Sequence, residues 1–438
     1  MKRRWLRIAL ILSLAASAVG LCVSLASSHK EENVLPDGRV QVRLNEVLKN
    51  DLSDTSALSG MDSRIENYMS QWGLRGASLA IMRKDSLIYA KGYGWADEET
   101  GNKMKPSDIM RVASVSKLIT ATGIMVLQER GLLTLKDTVF GPRGILTDSV
   151  YTSVMHDPNY NKITVEDLLR HKGGFTSYGG DPMFSTRYIM QQNHLDTPPD
   201  HLTLMQTQLR RRLRFVPGTS QYYSNFGYLL LSMIIEKVSG EDYEKFMQDN
   251  VLMPAGCVDM HIAGNYYEDR YENEVKYYNG ADSGLVEEYN NSGNMVDRCY
   301  GGNDIHALAG AGAWVTSVPE LARFVASIDG RPEVPDIISA ESVSAMTEWF
   351  DESTYSLGWN DTKPTGEWTR TGTFSGTSAL IKYYPDGECW IMVTNTSTWK
   401  GPGFTRYTAG LFRDLRTRYS SRLPHRDFFY ATSGNMAE

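Results

Sequence analysis

Hydrophobic and polar positions divide the chain into segments of distinct period. Residues 8–26 are apolar or small without a charge, directly after the basic start Met1-Lys-Arg-Arg-Trp-Leu-Arg7. Residues 27–58 are polar and mixed with no sustained period, which reads as a linker holding at most a short helix around 40–52. Ile65, Tyr68, Met69 and Trp72 then recur at helical spacing and predict a helix over 61–72. Two apolar runs, 76–82 and 86–94, flank Arg83-Lys-Asp85 and predict a β-hairpin. A second hairpin is predicted over 378–384 and 389–394, around the turn Pro385-Asp-Gly-Glu388. Between them the pattern is mainly helical, with long Tyr-, Asn- and Gly-rich loops over 266–302. Residues 118–127 are apolar nearly all round, the mark of a helix buried in a core, and Gly131 supplies its stop.

Strands at both ends and helices between them predict an α/β (α+β) fold. An antiparallel sheet is built from N- and C-terminal segments and flanked by helices, with an inserted mainly helical lobe. No Pro-, Gly- or Ser-rich break divides residues 59–438, and no internal repeat occurs, so one domain is expected there. A cleft between sheet and lobe is the default place for a ligand.

Charge and cysteine content narrow the setting. The basic start and apolar run have the layout of a secretory signal, with small residues Ser24 and Ala26 at the two positions that define a cleavage site. The run also approaches the shortest length that spans a bilayer, which allows an uncleaved anchor over 1–26. Cys22 follows Leu21 instead of the small residue that lipidation favours. An exported protein of the bacterial periplasm or cell envelope, with a membrane tether through this segment allowed, is therefore expected. Loss of residues 1–26 removes Lys2, Arg3, Arg4 and Arg7 and no acid, moving the formal net charge from −7 to −11. That balance argues against nucleic acid and anionic lipid as partners. Cys257, Cys299 and Cys389 remain, too few for a disulfide scaffold, though one bridge of unspecified pairing is allowed.

Candidate chemistry begins at residues 111–117, RVASVSK. Ser114 and Lys117 stand three apart, so on a helix they share a face. In the first turn of a buried helix Ser114 would meet free backbone N–H groups, and a buried lysine beside it moves toward a usable base. Taken alone, S-x-x-K reads equally as a helix start with one snorkelling lysine. A second stretch, 215–230, carries Tyr223, Ser224 and Asn225 in a loop after Pro217-Gly218. The plain reading is a helix cap at Ser224 or Asn225; the chemical one makes Tyr223 a proton shuttle and Asn225 an orienting amide. A third, 368–378, is either a kinked edge strand or a wall of backbone N–H donors for an oxyanion, with Arg370 receiving a carboxylate.

S-x-x-K, Y-x-N and a basic-Thr-Gly strand, in that order, resemble the serine β-lactamase and penicillin-binding-protein superfamily. The branch resembled contains class C β-lactamases, D-Ala-D-Ala carboxypeptidases, D-aminopeptidases and esterases. Residues 163–175 (ITVEDLLRHKGGF), 310–324 (GAGAWVTSVPELARF) and 355–359 (YSLGW) carry the likeness across about residues 60 to 415. The resemblance implies a β-lactamase/transpeptidase-like fold, with Ser114 as acylated nucleophile and Lys117 and Tyr223 as its proton-transfer partners. It implies that Asn225, Arg370, Thr371 and Gly372 contact substrate and that the backbone N–H groups of Ser114 and Thr373 form the oxyanion hole. It further implies a small-molecule or peptide substrate, cell-wall derived, with no cofactor. Scattered histidines and the absence of an H-E-x-x-H pair argue against a metal. Arg370 stands where the branch carries Lys or His, Thr373 replaces a common Gly and Ser375 a common Pro; arginine can bind a carboxylate but cannot exchange protons. His171 is expected to be structural. The function expected is an exported serine hydrolase acting on a D-amino-acid peptide, a related amide or ester, or a β-lactam-like compound. A small-ester esterase and a non-catalytic penicillin-binding sensor are the alternatives.

Overall fold

The computed structural model describes residues 39–175, 180–280, 284–351 and 354–431. The expected export segment 1–26 and residues 27–38 lie outside the described residues. Two compact units are present. One is a ribbon in which Val40–Gln41 pairs antiparallel with Tyr430–Ala431. The other spans Arg43–Phe429 and carries every remaining element. This body begins earlier than expected. Leu44, Leu48 and Leu58 are buried, and the Ser53 hydroxyl donates to the Ala90 carbonyl at 2.8 Å, so residues 43–58 are packed structure and not a linker. Their helical pieces, Leu44–Val47 and Asn50–Ser53, run only four residues each, too short to leave a period in the sequence.

In chain order the principal elements are α1 (Ser59–Trp72), β1 (Gly76–Arg83), β2 (Ser86–Asp97), β3 (Asn102–Lys103), α2 (Ser116–Glu129), α3 (Asn225–Ser239), α4 (Val318–Ala326), β4 (Asp361–Thr362), β5 (Trp368–Phe374), β6 (Thr377–Tyr383), β7 (Glu388–Thr394) and α5 (Thr405–Tyr419). The strands form one seven-stranded antiparallel sheet in the order β4-β5-β6-β7-β1-β2-β3. Both predicted hairpins are present, and β7 joins them by pairing with β1 in the register Ile391 opposite Ala80. The sheet is therefore built from both ends of the body, as the sequence predicts. Met61 and Ile65 of α1 with Phe412 and Leu415 of α5 cover Leu79, Ile81, Trp390 and Met392 in one core cluster. α4, buried at every position, lies against β1, β2 and β7.

The residues between β3 and β4, apart from α4 on the sheet, make the inserted lobe. At its centre α2 is buried from Ser116 to Leu127 and packs on α3, which explains why the 118–127 stretch is apolar on every side. Each fully buried Ile or Leu there contributes about 1.5–3 kcal/mol. Met110–Arg111, Trp314–Thr316 and His261–Ile262 form a small sheet that leads the chain into α2. Cys257, Cys299 and Cys389 are buried free thiols, so the one disulfide that their number allows is not formed. Among the described residues no helix is long and apolar enough to cross a membrane.

The β1–β2 turn buries a carboxyl. Asp85 is 1% exposed, and burial followed by the neighbouring Asp329 carboxylate pushes its pKa up to about 9. The folded chain thus keeps a proton that the unfolded chain releases near pH 4. Stability from this group is complete below that pH and falls as pH climbs toward 9. Asp85→Asn should mimic the protonated acid and suits the positive φ of this turn, 57°. Its melting temperature should exceed the parent's by at least about 2–4 °C at pH 8, with a smaller gap at pH 5. Equal melting of parent and variant at both pH values would show that the carboxyl carries no such strain.

Candidate active site

The turn that carries Ser114 is built by a conflict between strand and helix. Val112 N–H donates to the Trp314 carbonyl at 3.0 Å, holding the chain on the small sheet. Ala113 then takes φ +48°, a left-handed conformation unusual for a residue with a Cβ. The reversal places Ser114 in a 3₁₀ turn (Ala113–Val115) just ahead of α2 instead of in the first turn of the helix itself. Lys117, within that first turn, is 0% exposed and its Nζ lies 3.2 Å from Ser114 Oγ. Nζ also donates to Asn225 Oδ1 at 2.8 Å and to the Ala311 carbonyl. Burial first, and then the charge of Arg370, hold the Lys117 pKa well below the ordinary lysine value.

Tyr223 and Asn225 arrive from the start of α3. The Ser224 side chain caps that helix by accepting from Gly227 N–H at 3.0 Å, and Asn225 becomes its first residue. Tyr223 donates to Ser114 Oγ at 2.7 Å, and burial raises its pKa while Arg370 opposes the rise. His171 sits behind: its Nδ1 accepts from Ser224 N–H at 3.2 Å and its ring lies 4.4 Å from that of Tyr223. Burial, then Lys117 and Arg370, lower the His171 pKa well below 6.5 and keep the ring neutral at physiological pH. The Asn225 amide donates in turn to Asp181 Oδ2 at 2.7 Å. Asp181 was not among the sequence candidates. It lies in a loop without periodicity, where only Asp181-Pro182 hints at the turn it caps through Met183 N–H.

Strand β5 closes the site. Arg370 is 1% exposed and its Nε donates to the Ser114 carbonyl at 2.8 Å, with Nη2 on the same oxygen. It does not line the cavity in front of Ser114. Its fork thus meets the backbone of the Ser114 turn, where a carboxylate anchor was expected from the sequence. Gly372 is needed for this approach, since a Cβ there would lie 2.1 Å from the Val112 carbonyl oxygen and 3.0 Å from Ser114 N. Thr371 N–H donates to Asn360 Oδ1 at 2.6 Å, away from β6. The two-residue repeat of a strand turns the Thr373 N–H to that same side, beside the Ser114 turn.

The cavity holds about 380 Å³. Ser114, Tyr223, Asn225 and the backbone of Thr371–Thr373 give it one polar wall; Leu308, Tyr355, Pro402 and the Phe184–Phe374 pair, ring centroids 5.7 Å apart, give it an apolar one. Among the described residues no charged side chain lines it. A larger cavity of about 490 Å³, over β6 and α5, is lined by Arg406 and Arg413 and contains neither Ser114 nor its partners. Among the described residues no group of His, Cys, Asp and Glu is arranged to hold a metal ion. A hydroxyl, an amine of lowered basicity, a phenol and the edge of a strand around one cavity are parts that acyl transfer through a serine can use.

The family model described as Beta-lactamase matches residues 61–413. The provisionally assigned penicillin-binding protein PbpX of Bacillus subtilis (strain 168) is 27% identical over 333 residues, 76% of this chain and 73% of that protein. Other curated relatives are matched over only 34–45% of their own length. Among solved structures, D-amino acid amidase from Ochrobactrum anthropi SV3 complexed with L-phenylalanine amide superposes with a TM-score of 0.64 at 18% identity, covering 84% of this chain and 100% of that one. The octameric penicillin-binding protein homologue from Pyrococcus abyssi gives 0.60 at 23% identity, covering 83% and 80%. At these identities the structural likeness is one of fold.

Proposed function

The chain belongs to the Beta-lactamase family, a family of serine hydrolases, and from that premise we propose that it forms an acyl-enzyme on Ser114 with neutral amides or esters. The observation that carries the reading is Ser114 Oγ held at 2.7 Å from the Tyr223 phenol and 3.2 Å from a buried Lys117 amine. Lys117, whose ammonium form burial disfavours, takes the Ser114 proton in its neutral form as Oγ attacks the carbonyl carbon. The oxyanion that forms accepts from the N–H groups of Ser114 and Thr373. Tyr223 passes a proton to the departing nitrogen or oxygen, and Lys117 reprotonates it. Water, deprotonated by the same pair, then cleaves the ester and restores the Ser114 hydroxyl. Asn225 has a second N–H for the substrate amide, and Thr371 and Gly372 guide the substrate along the edge of β5.

Substrate class follows from the lining. An apolar wall with no cation among the described residues favours a neutral, bulky group over a free carboxylate. The D-amino acid amidase among the structural neighbours supports amino-acid amides as the first chemistry to try. The basic and apolar residues 1–26, with the layout of a secretory signal, support export of this activity to the cell envelope. The test compares two substrates with one acyl group, a D-amino-acid aryl amide or ester against the matching acyl-D-alanine with its free carboxylate. The neutral compound should have the higher kcat/KM by at least about tenfold, the equivalent of roughly 1.4 kcal/mol. A preference for the carboxylate would return the protein to the carboxypeptidase reading.

A further inference from the structure

We propose that Asp181 is a positioning residue that locks the Asn225 amide in the one orientation that leaves the Lys117 lone pair for Ser114. The inference rests on the reading of Lys117 as the base. It comes from counting donors and acceptors around one nitrogen.

A neutral amine has two N–H groups and one lone pair. Lys117 Nζ has three partners: the Ala311 carbonyl, Asn225 Oδ1 at 2.8 Å and Ser114 Oγ at 3.2 Å. The first two can only accept, so they take both N–H groups, and the lone pair is left for the Ser114 hydroxyl. This holds only while Asn225 presents oxygen to Lys117. A flipped amide would point Nδ2 at the same lone pair and compete with Ser114 for it. The two amide orientations fill nearly the same space, so packing alone does not choose between them.

Asp181 chooses. Its Oδ2 lies 2.7 Å from Asn225 Nδ2, and an ionised carboxylate accepts only. The other carboxylate oxygen accepts from Met183 N–H at 3.0 Å, and the Ser185 hydroxyl donates to the Asp181 carbonyl at 2.8 Å, which fixes the acid in place. An uncharged amide at 181 could donate or accept and would tolerate either state of Asn225. Asp181 also carries the negative charge among the groups that face Lys117. The others are Arg370 from β5, neutral His171, and the rings of Tyr223 and Tyr228.

The test is Asp181→Asn in the full chain, with a neutral aryl ester followed in single turnover across pH. The acylation plateau should fall about ten- to a hundredfold, as expected for a base held off line, with KM changed far less. Loss of the negative charge should also move the acid limb of kcat/KM to lower pH, because Asp181 favours the protonated amine. Asn225→Ala should cost a similar factor, and the double variant Asp181→Asn/Asn225→Ala little beyond Asn225→Ala alone, since the lock has no role without the amide. A merely structural Asp181 predicts a lower melting temperature, plateau and KM altered alike, and additive losses; that pattern overturns the proposal. If the parent protein forms no adduct on Ser114, the acyl-enzyme reading itself has failed. If the parent acylates and Asp181→Asn matches it in plateau and acid limb, only the lock is lost.

Discussion

Ser114→Ala should abolish covalent labelling by a fluorophosphonate and lower turnover of a neutral ester by about 10⁵–10⁶, the scale on which loss of a triad-type nucleophile falls. The fold should survive the change. Lys117 keeps Asn225 and Ala311 as partners, and alanine is well tolerated at a helix start. The left-handed Ala113 turns the chain into the Ser114 segment at a cost of order 1–3 kcal/mol, which a change of the neighbouring side chain does not add to. The melting temperature should therefore stay level or rise. Tyr223→Phe should slow turnover by about 10²–10⁴ and Lys117→Met comparably. Together they should cost little beyond the worse single change, since one proton path runs through both. Labelling of the alanine variant at the parental rate would remove Ser114 from the mechanism.

Arg370→Ala is the second large effect, and its signature lies in what it fails to discriminate. The guanidinium carries the Ser114 carbonyl on two donors and does not face the cavity, so its loss lets the nucleophile turn drift. A displacement of about 1 Å costs roughly a hundredfold in rate. Neutral and carboxylate-bearing substrates should suffer alike. The carbonyl keeps Ser116 N–H as a partner but loses a charge-assisted bond, which should cost about 1.5–3 kcal/mol of stability. The charge gives a further handle. Arg370 lowers the Lys117 pKa, so its removal should move the acid limb of kcat/KM to higher pH, opposite to the shift expected for Asp181→Asn. Selective damage to carboxylate-bearing substrates, with the acid limb unmoved, would restore Arg370 as a substrate anchor.

Arg370 also shows what the sequence could and could not convey. Its place on a strand beside Thr371 and Gly372 was legible, as were both hairpins, α1 and the buried α2, because each carries a clear period. That Arg370 and Gly372 are buried while Thr371 and Thr373 are half-buried is seen only in the structure. Which of the two faces meets the Ser114 turn is likewise not a sequence property, since it depends on how the lobe docks on the sheet. The same limit applies to Asp181 and Asn360. They come from non-repetitive loops 44 residues before and 135 after Asn225, and reach the site only through side-chain hydrogen bonds. Residues 43–58 were misread for a simpler reason: short helical turns that bury Leu44 and Leu48 leave no repeat to detect.

Acyl transfer to Ser114 is most directly tested by mass. The parent protein, mixed with excess neutral aryl ester and acid-quenched within the first turnovers, should gain the mass of one acyl group. Digestion should place that group on the peptide containing Ser114, and the adduct should decay at the rate of turnover. Rapid turnover with no mass gained, or an acyl group carried on any other residue, would contradict the mechanism.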